Sequence, residues 1–287
     1  VDYGINDFLN RKIHPLNTQP KPLNQLPIAA AKSIDTVLCD IDDTITTDGR
    51  LSASAYSALE QLQSHGLRVI PITGRPAGWC DLIARLWPVH AVVGENGAFY
   101  MRYDHHHRNM HHHFWADVPT RAGNRQALDA LAKKIIKEVP GCALASDQPY
   151  RVADLAIDFC EDVKPLPEDA VNQIVTCFEA AGAHAKVSSI HVNGWFGDYD
   201  KLTMTATMTQ QLFGKPLSAM QNNMLFIGDS ANDAPMFGYF NHSVGVANVR
   251  AQQHRIKKLP KYICENESGE GFAEMVKRLL ALKNLQP

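Results

Sequence analysis

The sequence predicts an α/β protein: an open parallel-sheet domain interrupted by a smaller α+β insertion. Three observations carry this. Short apolar runs alternate with amphipathic helical stretches at both ends of the chain, and short connections between them are the mark of a parallel sheet. Between those ends a helix, strand, strand order occurs twice, which is a different pattern. Each apolar run of the outer parts also ends in a polar loop, so the loops collect at one edge of the sheet.

The first run, Val37-Leu38-Cys39, leads into Asp40-Ile41-Asp42-Asp43-Thr44, three carboxylates and a threonine directly after a buried strand. Like charges this close repel and desolvate badly unless a cation joins them, which points to a metal-dependent site. A helix over 52–65 follows, with Ala55, Leu59 and Leu62 on one face and Gly66 at its end. A second strand, 68–72, runs into Thr73-Gly74-Arg75-Pro76. A third, 91–93, runs into Gly94-Glu95-Asn96-Gly97.

The pattern then changes. Strands at 98–103 and 114–118 are expected to flank a histidine-rich turn, followed by a helix at 124–138 and strands at 143–146 and 155–159. A helix at 167–181 and strands at 184–188 and 190–195 complete the insertion. The outer pattern resumes with a helix at 202–213 closed by Gly214, a strand at 224–227 ending in Gly228-Asp229-Ser230-Ala231-Asn232-Asp233, short strands at 243–246 and 262–264, and a helix at 271–282. The expected division is an arm over 1–33, a main domain of 34–103 and 196–287, and an inserted domain of 104–195. The arm, with Pro15, Pro20, Pro22 and Pro27, is expected to pack on the body or stay mobile and to carry no chemistry. A start at Val1 leaves an upstream piece open.

Composition narrows the function. A net charge of −2 gives no reason to expect nucleic acid or an anionic membrane as a partner. Six scattered cysteines without a CxxC pair read as reduced core residues, which suits a cytoplasmic protein. A small anionic substrate would need a local site.

Four polar patches, Asp40/Asp42/Asp43/Thr44, Thr73, Lys201 and Gly228 to Asp233, resemble in order and residue type the four motifs of the haloacid dehalogenase (HAD) superfamily of phosphohydrolases. The resemblance implies a Rossmann-like core. An insertion between the second and third motifs is similar to its C2 cap class, subtype IIB, and Asn96-Gly97-Ala98 resembles a segment common there. That group includes sugar phosphatases and phosphomannomutases.

The resemblance implies a Mg²⁺-dependent phosphatase of small phosphorylated metabolites, a sugar phosphate first, working through an aspartyl-phosphate. Asp40 is then the nucleophile and Asp42 the acid and base, while Thr73 and Lys201 hold the phosphoryl oxygens. Asp40, Asp42 through its carbonyl, and Asp229 would hold the metal, with Asn232 and Asp233 completing its shell or ordering the lysine. Asp43 departs from the glycine often found after the second aspartate.

Substrate contacts are expected from Thr44, Gly74, Arg75 and Asn96, and in the insertion from Arg151, Ser189 and His191, with Ser188 and Asn193 nearby. A phosphomutase uses the same core residues and stays open, as does a non-catalytic phospho-ligand-binding protein. Homo-oligomerisation also stays open. The groups His105, His106, His107 and His111, His112, His113 are expected at a hairpin tip, where metal would bind only adventitiously.

Overall fold

The computed structural model describes residues 19–188 and 190–285. Its main sheet has six parallel strands in the order Lys21–Pro22, Tyr262–Ile263, His242–Gly245, Met224–Gly228, Thr36–Cys39 and Arg68–Pro71. An isolated parallel bridge from Ile72 to Val93 carries the pairing one strand further.

Period-two alternation explains why these strands are buried on both faces. Val37 and Cys39, with Leu225 and Ile227, enter one apolar cluster, while Leu38, Met224 and Phe226 enter another on the opposite face. Helices Ala53–Ser64 and Ser268–Asn284 contribute to the first cluster, and Lys201–Phe213 to the second. From the central pair Thr36–Cys39 and Met224–Gly228 the chain winds outward in opposite directions. Their carboxyl ends therefore border the crevice where open α/β sheets take ligands.

The insertion has an antiparallel four-stranded sheet, ordered His184–Val187, His191–Trp195, Leu155–Asp158, Ala143–Leu144. Helices Val118–Glu138 and Glu168–Ala180 cover it and share a separate apolar core that includes Leu128, Ile135, Ile157, Ile174, Phe178 and Val192. Strands Val92–Gly94, Phe99–Asp104 and Asn109–Phe114 form a third sheet. That hairpin is hydrogen-bonded to the main body, and we propose that the insertion starts in the link 115–117.

Three expectations need correction. The strand placed at 114–118 is Asn109–Phe114 instead, so His111, His112 and His113 lie in the strand and not in the turn. The following helix begins at Val118, not 124, because the Asp117 side chain accepts the Thr120 N–H at 2.9 Å and Pro119 stands in the first turn. Part of the expected arm is structured: Lys21–Pro22 adds an edge strand and Ile28–Ser33 is a helix, whereas 1–18 lie outside the described residues.

No helix among the described residues is long and apolar enough to cross a membrane. All six cysteines are free.

Candidate active site

Asp40 leaves the strand Thr36–Cys39 with its N–H on the carbonyl of Ile227, which fixes it against the neighbouring strand. Helix Lys201–Phe213 starts opposite, its first turn closed by a capping box between Asp200 and Thr203. This puts Lys201 at the first helical position, pointed at the sheet edge. Its ammonium donates to Asp40 Oδ1 at 2.6 Å and to Asp233 Oδ1 at 2.8 Å. The other oxygen of Asp233 accepts the backbone N–H of Asp229 at 3.1 Å.

Two glycines make these approaches feasible. A Cβ on Gly228 would stand 2.3 Å from Asp233 Oδ2, and one on Gly97, at φ +109°, would stand 2.1 Å from the carbonyl of Asp200.

Electrostatically the site is short of positive charge. Burial, helped by Asp233 and Asp42 and opposed by Lys201, pushes the Asp40 carboxyl up to about 8. Burial with Asp233, Asp40 and Asp43 raises Asp229 well above the usual carboxylate range. Lys201 is held firmly charged, since its two carboxylates outweigh the cost of burying it. Asp40, Asp229 and Asp233 each offer an oxygen within 4.8 Å of the others. Buried carboxylates that one ammonium cannot neutralise suit a hard, oxygen-seeking cation.

Asp42 points across the loop to Arg75, whose Nε lies 2.9 Å and Nη2 2.8 Å from the same carboxylate oxygen. The guanidinium also stacks over Trp79, 4.3 Å from the ring centre, and reaches Asp147 and Glu161 of the insertion at 3.7 and 3.5 Å. Thr73 is fully buried behind this loop, its hydroxyl accepting the Arg75 N–H at 3.0 Å.

A solvent-open cleft joins the two units. Its core wall includes Asp40, Asp42, Gly74, Arg75, Asn96, Asp229 and Asn232; its other wall includes Arg151, Lys186, Ser188, His191 and Asn193. Of the expected substrate contacts, Gly74, Arg75, Asn96, Arg151 and His191 thus face the cleft, and Asn96 brings a buried amide nitrogen without a hydrogen-bond partner among the described residues.

Thr44 is fully buried and its hydroxyl is likewise without a hydrogen-bond partner among the described residues. Ser189 lies outside the described residues. His191 Nε2 is 2.8 Å from Glu161, whose carboxyl is held below its ordinary value by that imidazole and by Arg75. Asn232 accepts the Ser230 hydroxyl at 2.8 Å.

The histidine tract does not gather into a ligand set. His107 pairs with Asp104 at 2.9 Å and His113 stacks on Tyr100, whereas the three aspartates are the group among the described residues that meets ion-holding distances. Glu95, Asp147, Asp154, Glu161 and Lys186 were not foreseen. Only Glu95 had a signal in the sequence, its place in the loop after the third apolar run.

The haloacid dehalogenase-like hydrolase family model matches residues 37–117 and 206–276, more than half of the chain. The chain belongs to this family. Its enzymatic class is phosphatase, and an α+β cap is inserted between the two matched segments.

A phosphoglycolate phosphatase of Methanobrevibacter smithii is 24% identical over 253 residues, covering 86% of this chain and 99% of that protein. A structure from Thermoplasma acidophilum superposes with a TM-score of 0.65 at 19% identity, covering 86% of this chain and 98% of its own. A subclass IIB sugar phosphatase superposes at 0.59 with 14% identity, covering 86% and 99%.

Proposed function

We propose that this phosphatase is a Mg²⁺-dependent phosphomonoester hydrolase for small phosphorylated metabolites. The observation that carries the reading is the Lys201 ammonium seated between Asp40 and Asp233 at the point where the two central strands part, with Asp229 beside them.

Asp40 attacks phosphorus and the bond to the leaving oxygen breaks, giving an aspartyl-phosphate. Asp42 protonates the departing alkoxide and then takes the proton of the water that cleaves the intermediate. Lys201 restrains the attacking carboxylate and neutralises charge on the phosphoryl oxygens. The Thr73 hydroxyl and the Gly74–Arg75 loop hold those oxygens. Arg75 keeps Asp42 oriented until the phosphoryl dianion draws the guanidinium to itself.

Asp40, Asp229 and the Asp42 carbonyl would hold Mg²⁺; when bound, it supplies charge neutralisation at the phosphoryl group. Asp233, committed to Lys201 and to backbone amides, orders the ammonium.

Metal binding must displace protons, because Asp40 titrates near 8 and Asp229 is raised. Mg²⁺ affinity should therefore climb between about pH 6 and about pH 8, by up to roughly tenfold per pH unit for each proton released. Calorimetry in two buffers of different ionisation enthalpy counts those protons. An affinity flat in pH, with none released, would contradict this assignment of ligands.

Sugar phosphates suit a cleft lined by the polar side chains of Ser188, Asn193 and His191. One observation favours a carboxylated phosphoester such as phosphoglycolate, the substrate named for the curated relative. Lys186, exposed at the cleft on the cap strand His184–Val187, presents an ammonium that makes no ion pair or hydrogen bond among the described residues.

Phosphate release from phosphoglycolate, phosphoglycerates, sugar phosphates and an aryl phosphate, with Mg²⁺ or EDTA, tests the function. Lys186→Ala should raise KM for phosphoglycolate about three- to tenfold, the worth of one charge-assisted contact, and leave the sugar phosphates unchanged. An equal effect on every compound would remove the carboxylate reading. Release that persists in EDTA would remove the metal.

A further inference from the structure

Glu95 and Asn96 both adopt positive φ, 43° and 57°, in the turn after strand Val92–Gly94. Side chains are costly there, so the surroundings must over-determine the turn. What the turn achieves is the aim of one side chain. The Glu95 carboxylate is fully buried and accepts the Ala77 N–H at 2.9 Å, at the start of the core helix Ala77–Leu86. It also accepts the backbone N–H groups of Val152, Ala153 and Asp154 in the cap, at 2.9, 2.6 and 3.0 Å. Capping the core helix would need the first of these alone; the rest lead directly into the inner cap strand Leu155–Asp158.

A second buried charge crosses the same boundary in the other direction. Arg151 of the cap donates to the carbonyl of Gly74 at 2.9 Å, in the loop that carries Thr73 and Arg75. Its guanidinium is held in that pose by Asp147, at 2.9 and 3.0 Å, and by Asp154, at 3.1 Å. Asp154 in turn accepts from Asn193 on the cleft wall at 3.0 Å. Two charges therefore tie the floor of the cap to the phosphate-binding edge of the core. Glu95 itself does not line the cleft, so contact with substrate does not account for burying it.

We infer that Glu95 is a positioning residue: with Arg151 returning to Gly74, its carboxylate clasps the cap onto the core and sets where the leaving group sits relative to Asp40 and Asp42. The inference rests on the cleft being the leaving-group site proposed above. Opening the cap would require releasing both charges together, along with the Arg75 contacts to Asp147 and Glu161, so the clasp favours the closed arrangement. The phosphoryl chemistry on the core side needs no clasp; the choice and placement of the leaving group do.

Glu95→Gln keeps the side chain's size but turns an amide NH₂ toward backbone donors. Hydrogen exchange of the whole protein, read without substrate, should then quicken at least tenfold at 152–154 while strands Thr36–Cys39 and Met224–Gly228 stay protected. KM for the best metabolite should rise about tenfold, while turnover of an aryl phosphate, whose leaving group needs little from the cap, changes less than twofold.

Unchanged exchange at 152–154 would overturn the inference, and so would equal loss of protection in the core strands, which marks a general stabiliser. If Glu95→Gln does not fold, Arg151→Lys must give the same local exchange. Because exchange needs no turnover, a protein that hydrolyses nothing would sink the proposed function and leave the clasp to be judged by this readout.

Discussion

Asp40→Asn lowers kcat for phosphate release by at least about 10⁴-fold, the scale seen when a covalent nucleophile is removed. The amide keeps the size and one acceptor for Lys201, which lies 2.6 Å from the native carboxylate, so the fold is retained. What disappears is the oxygen that bonds to phosphorus. No neighbour can replace it. Asp42 is turned to Arg75, and Asp233 has both oxygens engaged, one by Lys201 and the other by the amides of Asp229 and Ser230.

The substitution also removes one negative charge from a crowded pocket, so the variant should be as stable as the parent or more so above about pH 7. That follows in sign: a carboxyl raised to about 8 in the fold contributes stability at low pH that is lost as pH rises through that value. Steady-state phosphate release beside a thermal melt at about pH 8 separates the two effects. Turnover persisting within about tenfold of the parent would refute Asp40 as nucleophile.

The parts of this site that were legible in the sequence are those fixed by local pattern and one rule of topology. A period-two apolar run places Asp40 at the end of a strand, and parallel strands bring the loops after them to one edge. Lys201, singled out by its resemblance to the third motif, lies 2.6 Å from Asp40 although 161 positions separate them. The end of the helix that Lys201 starts was also legible, since Gly214 closes it in the left-handed region.

Where local pattern is silent, reading failed. His111, His112 and His113 do not alternate in hydropathy, yet they pair along Phe99–Asp104 in a regular ladder. Lys21–Pro22 is too short to show any period and becomes a strand only because Tyr262–Ile263 offers a free edge. The clasp was invisible for another reason. Glu95 meets amides 57 to 59 positions away whose own side chains, Val152 and Ala153, have no part in the contact.

Lys201→Met should be the most damaging single change in the core, costing about 3–5 kcal/mol of stability above about pH 8, as when one partner of a buried ion pair is removed. The parent keeps one ammonium among buried carboxylates, itself held charged by Asp233 and Asp40. Without it Asp40 and Asp233 face each other in a desolvated pocket. The only relief open to the apoprotein is to take up protons.

The sign follows from Asp40, already at about 8 with the lysine present and higher without it. Stability linked to a raised carboxyl is complete below its unfolded value and fades as pH climbs toward the folded one. The gap between parent and variant must therefore be nearly constant below about pH 7 and widen as pH rises through about 8 and above. Saturating Mg²⁺ should stabilise both proteins, since a ligand bound by the folded state alone adds about 2.7 kcal/mol at a hundred times its Kd.

Denaturant melts at several pH values, with and without Mg²⁺, read this directly. A gap that stays constant with pH would mean that Lys201 acts through packing, and charge balance would no longer explain why a helix is capped so tightly to aim one ammonium at the sheet.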